Sequence, residues 1–444
     1  MKLYSTPGAP SLFVFFVMVF CGATPGWAQI EPSAAEVQAQ RDAATTRFVA
    51  GDVEGALEAL NAIGEPRISD IRVEGLVRGN PVSLADYLDL REGDVLTRGR
   101  LARANRKLID FPTASIGTVR YDLLEDSVIV RPIIFERSRS LKSATTWASI
   151  AARTVFTREL RLTFSDLTGH SDVWSPSVRW AAGRPRVRLQ VAAPAPGVLP
   201  GVARVDLSWQ KENYPGDVEV ERVRAGAFLG DWVTSWLRVE AGPAFNRIAT
   251  TNYLELNANV NGRALDDHVA AIVSGSVFRT QTSSAFSTGD VILQARSTTQ
   301  DDRPRLSARV GMSVAESGAP LVLWPAAASA AEPVGLLRAH RFYNSGVLTT
   351  EAFGRQLAYA TVEYVHPLPT RFGPAFMGLA AFTDAAQARS RIQPTDSPVL
   401  VDVGFGLRVN TSRAGNQIRL DLAQSLQDGR RRFSVGYVAP WGER

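Results

Sequence analysis

From about residue 141 to the C-terminus the chain switches between oily and polar residues with a period of two. Val187, Leu189 and Val191 alternate with Arg186, Arg188 and Gln190, and Val205, Leu207 and Trp209 with Arg204, Asp206, Ser208 and Gln210. Leu254 and Leu256 alternate with Glu255 and Asn257. Val401, Val403, Phe405, Leu407 and Val409 alternate with Asp402, Gly404, Gly406 and Arg408, and Ile418, Leu420 and Leu422 with Arg419 and Asp421. Successive side chains on a strand point to opposite faces, so each segment has one apolar and one charged face. A soluble β-sandwich could carry such strands. Here, however, charge returns on strand after strand, and Trp174, Trp209, Trp232, Trp236, Tyr253 and Tyr437 fall toward strand ends. A wet lumen and an interfacial aromatic girdle account for both features. The pattern predicts an all-β transmembrane barrel of about sixteen antiparallel strands over residues 138–444. A slip in the alternation at Glu221-Arg222 predicts a bulge. Hydrophobic residues at 45% and charged residues at 21% fit this reading, because alternation averages to a soluble-looking composition.

The N-terminus reads as an export signal over residues 1–28. Lys2 is followed by the apolar run Leu12–Phe20, and Gly26-Trp27-Ala28 places small residues where a signal peptidase inspects the chain. The run is shorter than the ~20 residues a membrane helix needs. Processing there predicts a mature start at Gln29 and, with a closed barrel, residence in a bacterial outer membrane in contact with its lipid. Cys21 is the single cysteine, so removal of the signal also removes thiolate chemistry. The four histidines, His170, His268, His340 and His366, have no metal-ligand spacing, so no metal is expected. No G-x-S-x-G run, P-loop or dinucleotide fingerprint is present, so no enzyme activity and no cofactor are expected. A net charge of +5 with no long basic block gives no reason to expect nucleic-acid binding.

Between signal and barrel lie two further segments. Residues 29–66 read as a helical spacer or a single tetratricopeptide-like helix pair, broken at Gly51-Asp52. Residues 67–137 read as a small α/β unit of order β-α-α-β-β. Ile71 and Val73 form a strand closed by Gly75, Ser83–Leu90 a short helix, and Thr97 caps a second helix carrying Leu101, Ala104 and Leu108. Ile116–Leu124 and Ser127–Phe135 are strands joined at Glu125-Asp126. The pieces Ile68–Gly75, Leu90–Asp94 and Val128–Phe135, in that order, resemble a POTRA domain, the periplasmic module of the BamA/TamA superfamily of outer-membrane assembly and secretion proteins.

The same resemblance continues in the barrel. Residues 314–356 form its longest interval between strands, and a long loop in an economical barrel is usually functional. Within it, Leu337-Arg338-Ala339-His340 resembles the V-R-G-F/Y motif of the superfamily's lumenal loop, with Ala339 in place of glycine and His340 in place of an aromatic. An offset register would use Arg341. Farther on, Phe382-Thr383-Asp384 resembles the F-x-D strand motif whose aspartate receives the loop arginine. The alternation points Phe376, Gly378, Ala380, Phe382 and Asp384 inward and Met377, Leu379 and Ala381 outward. The resemblance implies a lumenal ion pair between Arg338 and Asp384, formed through a planar guanidinium fork. It also implies work on a client or passenger polypeptide, with periplasmic partners reached through the POTRA-like unit. A passive pore or structural barrel that keeps the fold without assembly activity is the alternative.

Overall fold

The structure, a computed structural model, describes residues 33–124, 127–137, 147, 150–151, 154–155, 158–197, 199–280, 285–300, 302–327, 336–340, 342–349, 351–372, 375–392, 396–410 and 417–438. The signal segment with Cys21 and Gln29, the Glu125-Asp126 turn, Arg341 and the C-terminal end beyond residue 438 lie outside the described residues.

The chain divides into two units, residues 1–64 and 65–444. The first contains α1 (Ala34–Val49) and α2 (Val53–Asn61), which pack on each other. Ser33 and Glu36 form a capping box at the start of α1, and Asp52 caps α2. Ala44, Ala56, Leu57 and Leu60 are buried.

The second unit opens with the α/β segment: β1 (Arg67–Ile71), α3 (Pro81–Tyr87), α4 (Arg98–Asp110), β2 (Ala114–Leu123) and β3 (Ser127–Glu136). The sheet order is β1-β3-β2, with β1 parallel and β2 antiparallel to β3. Thr97 caps α4 by accepting the Arg100 N–H, and Ala104 and Leu108 are fully buried. Gly75 sits at φ 78° with the Ile134 carbonyl 2.3 Å from where a Cβ would stand, so only glycine closes this strand without displacing β3.

The barrel strands are β4 (Glu159–Arg161), β5 (Phe164–Ser165), β6 (Val173–Arg179), β7 (Arg186–Pro194), β8 (Val202–Tyr214), β9 (Val218–Trp232), β10 (Leu237–Ile248), β11 (Thr251–Ala264), β12 (Val269–Arg279), β13 (Phe286–Arg296), β14 (Arg305–Ala315), β15 (Tyr343–Asn344), β16 (Val347–Leu348), β17 (Gln356–Phe372), β18 (Ala375–Arg389), β19 (Leu400–Asn410), β20 (Gln417–Ser425) and β21 (Arg431–Val438). They form a closed antiparallel barrel. Among the described residues, fourteen strands, β6 to β14 and β17 to β21, make most of the wall. The short β4 and β5 both pair with β6 and fill one further place. The two-residue β15 and β16 form a hairpin inside the long loop, so the wall comes close to the expected sixteen strands. No helix among the described residues is long and apolar enough to cross a membrane.

Inward and outward parity follows the alternation. Leu254, Leu256 and Phe405 are exposed on the outer face, whereas Glu255, Asp402 and Arg408 are buried on the inner one. The expected bulge at Glu221-Arg222 is absent, because β9 pairs with β8 and β10 in unbroken register through both residues. The slip is a rim effect. At 15 residues β9 exceeds the ~9–11 needed to cross, so Glu219 and Glu221 are outward residues beyond the apolar band, where Lys211 and Trp209 bind them. Unbroken parity also turns Trp232 inward, where it is buried, and Tyr253 packs inside with Phe278 and Phe286. These two therefore do not belong to the outer girdle. The true register shift lies between Pro367 and Arg371 of β17, where proline cannot donate to the ladder.

The α/β segment docks by α4 on the barrel end that carries the β9–β10 and β11–β12 turns. Arg106 holds both oxygens of Asp267 at 2.6 and 2.7 Å. Arg103 and Lys107 reach Asp231, and Asp110 accepts from Trp232 Nε1 and Arg238 Nε. Burial would raise the Asp267 carboxyl, but the Arg106 hydrogen bonds and the charges of Arg106, Arg263 and Arg296 outweigh it and hold the group below its usual range. A depressed carboxylate stabilises above its ordinary pKa of ~3.9 and loses that contribution as pH falls through the folded value. Arg106→Ala is expected to weaken docking by ~1 kcal/mol, a roughly fivefold faster proteolytic release of the α/β segment at neutral pH. Acidification should begin to shrink the difference between variant and wild type below about pH 4 and erase it only once the pH has fallen through the lowered Asp267 value. A variant cleaved at the wild-type rate at neutral pH would show that this contact does not hold the segment.

Candidate functional site

The connection from β14 to β17 starts at the barrel end opposite α4 and folds into the lumen. Leu337, Phe342, Leu348, Ala352 and Phe353 of the loop pack against Tyr214, Ile272, Ile292, Leu357, Tyr359 and Leu400 of the wall. The hairpin tip crosses to the far wall, where Val347 pairs with Asn213 of β8. At that tip Gly346, at φ 88°, lies so close to the Ala182 carbonyl that a Cβ would stand 2.3 Å from it. The ends of the loop are thus fixed by apolar packing and the tip by backbone contact. That leaves the tetrapeptide Leu337-Arg338-Ala339-His340 presented to the inner faces of β17 to β20, with all four residues buried.

What receives it is a bed of charge on small residues. The inward positions Gly378 and Ala380 of β18 and Gly404 and Gly406 of β19 carry almost no side chain, which leaves room for long charged groups to lie across the sheet. Arg338 stacks over the Phe382 ring at 3.7 Å from its centroid. Its Nε stands 3.1 Å from Asp384 Oδ2, so the expected partners do meet. The expected fork does not form, because the guanidinium divides among three acceptors. Nη1 donates to Glu363 Oε2 at 2.8 Å and lies 3.7 Å from Asp421 Oδ2. Neither Asp384 oxygen has an aligned hydrogen bond, so that contact is held by charge. Geometry explains the change: with its head seated over Phe382, the planar group directs N–H groups toward β17, β18 and β20 at once.

The register between strands adds a feature absent from any single strand. Asp384 of β18 stands directly opposite Asp402 of β19, two carboxylates on the same inner face with no side-chain exposure. Like charges opposed across a ladder destabilise it. The loop resolves the conflict with consecutive residues. Arg338 sits on Asp384, the Ala339 N–H donates to Asp402 Oδ2 at 2.6 Å, and His340 Nδ1 lies 2.9 Å from Asp402 Oδ1. The Ala339 methyl packs with Phe382 and Ala423, and the His340 carbonyl accepts from Arg432. Arg408 completes the bed, gripping both oxygens of Glu363 at 2.6 and 2.8 Å and Asp421 at 2.6 Å.

The alternation places Asp402, Arg408 and Asp421 on a polar face but assigns neither them nor Glu363 to the site. Their signal was present, since each is a charged residue on the inward parity of a late strand, but parity alone does not say which side chains converge. Among the described residues no His, Cys, Asp or Glu group is arranged to hold a metal.

No family model and no curated relative matches the chain. Solved structures do. BamA from Haemophilus ducreyi lacking POTRA domains 1–3 superposes with a TM-score of 0.50 at 12% identity, covering 84% of each chain. CdiB from Escherichia coli gives 0.54 at 12% identity, over 84% of this chain and 75% of that one. CdiB from Acinetobacter baumannii gives 0.51 at 10%, over 92% and 87%.

Proposed function

From the fold that the chain shares with BamA and CdiB, we propose that it is an outer-membrane barrel that handles polypeptides, either inserting a client barrel or secreting a passenger. In this reading residues 67–137 are a periplasmic POTRA domain that meets the client and other partners, and no catalytic chemistry is involved. The observation that carries the reading is the buried Arg338 node, which fixes a loop inside the lumen across three wall strands. A loop tied across the lumen by buried ion pairs narrows the path that a wide, steadily open pore would use. A machine that admits a chain needs the lumen ordered until the client arrives, and exposed strand edges can then template an incoming strand.

The test is reconstitution of the full chain in vesicles with an unfolded outer-membrane barrel as client, following the client's conversion to its heat-modifiable form. The reading expects conversion at least tenfold faster than in empty vesicles, and planar-bilayer currents that flicker rather than stay open. Client folding at the empty-vesicle rate together with a steady open conductance would establish the passive pore instead.

A further inference from the structure

The long-loop node occupies one side of the lumen. The opposite wall, β7 to β10, carries a different pattern. Arg188, Arg204, Arg222, Arg224 and Arg238 face inward there, against the wall carboxylates Asp206 and Glu240 and Glu255 of β11. Three guanidinium groups crowd Asp206: Arg188 at 2.5 Å, Arg224 at 3.6 Å and Arg204 at 3.7 Å. Arg222 and Arg224 both approach Glu255, and Arg204 and Arg238 share Glu240. Arg204 and Arg224 also lie over the Phe228 ring, which holds their heads in place. With the buried Arg186 the inner faces of β7 to β10 carry six arginines against the three carboxylates of those strands, Asp206, Glu212 and Glu240, while Glu255, Asp110 and Glu159 are supplied by neighbouring elements, and the other five arginine side chains keep 16 to 29% of their surface exposed.

The wall already takes a carboxylate from outside itself. At its end nearest the α/β segment, Arg238 Nε binds Asp110 of α4 at 2.8 Å. From that point the ladder Arg238–Glu240–Arg204–Asp206–Arg188 leads across the barrel wall from β10, over β9, to β8 and β7. Neighbouring strands stand ~4.8 Å apart and same-face residues on one strand ~7 Å apart, spacings that side-chain carboxylates of an extended chain can match. Arginine's fork binds carboxylate oxygens in pairs.

We propose that this wall is a binding track for a carboxylate-bearing, extended polypeptide segment entering at the α4 end, with Asp110 marking its first position. The proposal rests on the reading that the chain handles polypeptides and names the chemistry of the segment it takes.

The test uses the full chain in detergent micelles and two fluorescein-labelled probes, a decaglutamate and a decaglutamine, read by anisotropy. Decaglutamate should bind at least tenfold tighter than decaglutamine. Arg188→Gln/Arg204→Gln should weaken it about tenfold, whereas Arg188→Lys/Arg204→Lys, which keeps the charge, should stay within about threefold of wild type. Arg72→Gln, on the outside of the α/β segment, should change nothing. Unheated-gel mobility confirms that each variant is folded. Equal binding of the two probes, or glutamate binding unmoved by the double glutamine variant or lost equally in the lysine variant, would overturn the track. The proposed function fails separately: a barrel that binds decaglutamate as described but folds no client keeps the track and loses the function.

Discussion

Arg338→Ala is expected to cost the barrel about 3–5 kcal/mol, because it strands carboxylates that are buried in the lumen. Asp384 would lose the cation that contacts it, keep only the more distant charge of Arg419, and face Asp402 directly across the β18–β19 ladder. Glu363 and Asp421 would keep Arg408, so the damage should concentrate at Asp384. A specific rescue follows. Arg338→Ala/Asp384→Asn removes the stranded charge along with its partner and should recover at least half of the loss. Such recovery is the strong coupling expected of residues in contact, where measured interaction energies reach ~0.5–3 kcal/mol. Arg338→Lys should recover less, since a point charge cannot serve β17, β18 and β20 together. The fraction of barrel that resists unfolding on unheated gels, taken across a temperature series, reads wild type, Arg338→Ala, Asp384→Asn, the double variant and Arg338→Lys. If the double variant is as weak as the sum of its single variants, the carboxylate pair is not what Arg338 neutralises.

Arg408→Met should be more damaging to the wall than Arg338→Ala is. Arg408 is almost wholly buried and belongs to a strand. It lies across Gly406 and Ala380 to bind Glu363 through both oxygens, and it also binds Asp421. Methionine matches much of the arginine volume, so packing is nearly preserved and the charge is lost. Glu363 would retain Arg338, a loop residue, as its close partner with the charge of Arg419 farther off, and Asp421 the longer contacts to Arg419 and Arg338 at 3.3 and 3.7 Å. Breaking a buried pair by removing one partner costs ~3–5 kcal/mol, and here two carboxylates share the loss. The expected result is a melting transition lower than that of Arg338→Ala, together with faster cleavage in the loop, because Glu363 anchors both arginines. A melting transition above that of Arg338→Ala would mean that the loop, not the wall, organises the node.

The cross-strand opposition of Asp384 and Asp402 also explains why the loop tetrapeptide tolerates Ala339 and His340 where the resembling motif has glycine and an aromatic. Ala339 contributes its backbone N–H and one methyl, and His340 contributes an imidazole nitrogen and a carbonyl. What the site demands at these positions is a donor for Asp402 and little bulk against Phe382.

Alternation alone determined much of this protein. Period two, kept over some 300 residues, requires strands with one apolar and one charged face, and together with charge repeated on strand after strand and an export signal it points to a closed sheet in a bilayer. It therefore also determined that Phe382 and Asp384 point inward and that Leu379 and Ala381 do not, which the burial of each confirms. The long interval between β14 and β17 stood out for the same reason, as the place where the period stops. Tertiary structure decided everything that depends on register between strands. Parity says which face a residue takes, but the position of Asp384 opposite Asp402, the reach of Arg408 over two small residues to Glu363, and the division of Arg338 among three carboxylates depend on how far one strand is offset against the next. That offset is set by closure of the whole barrel and by the docking of the loop, which are sums over many distant contacts and leave no mark on any one segment. The same holds for Trp232. Its sequence position near a strand end suggests a membrane girdle, and only the unbroken β9 ladder turns it inward to meet Asp110 of α4.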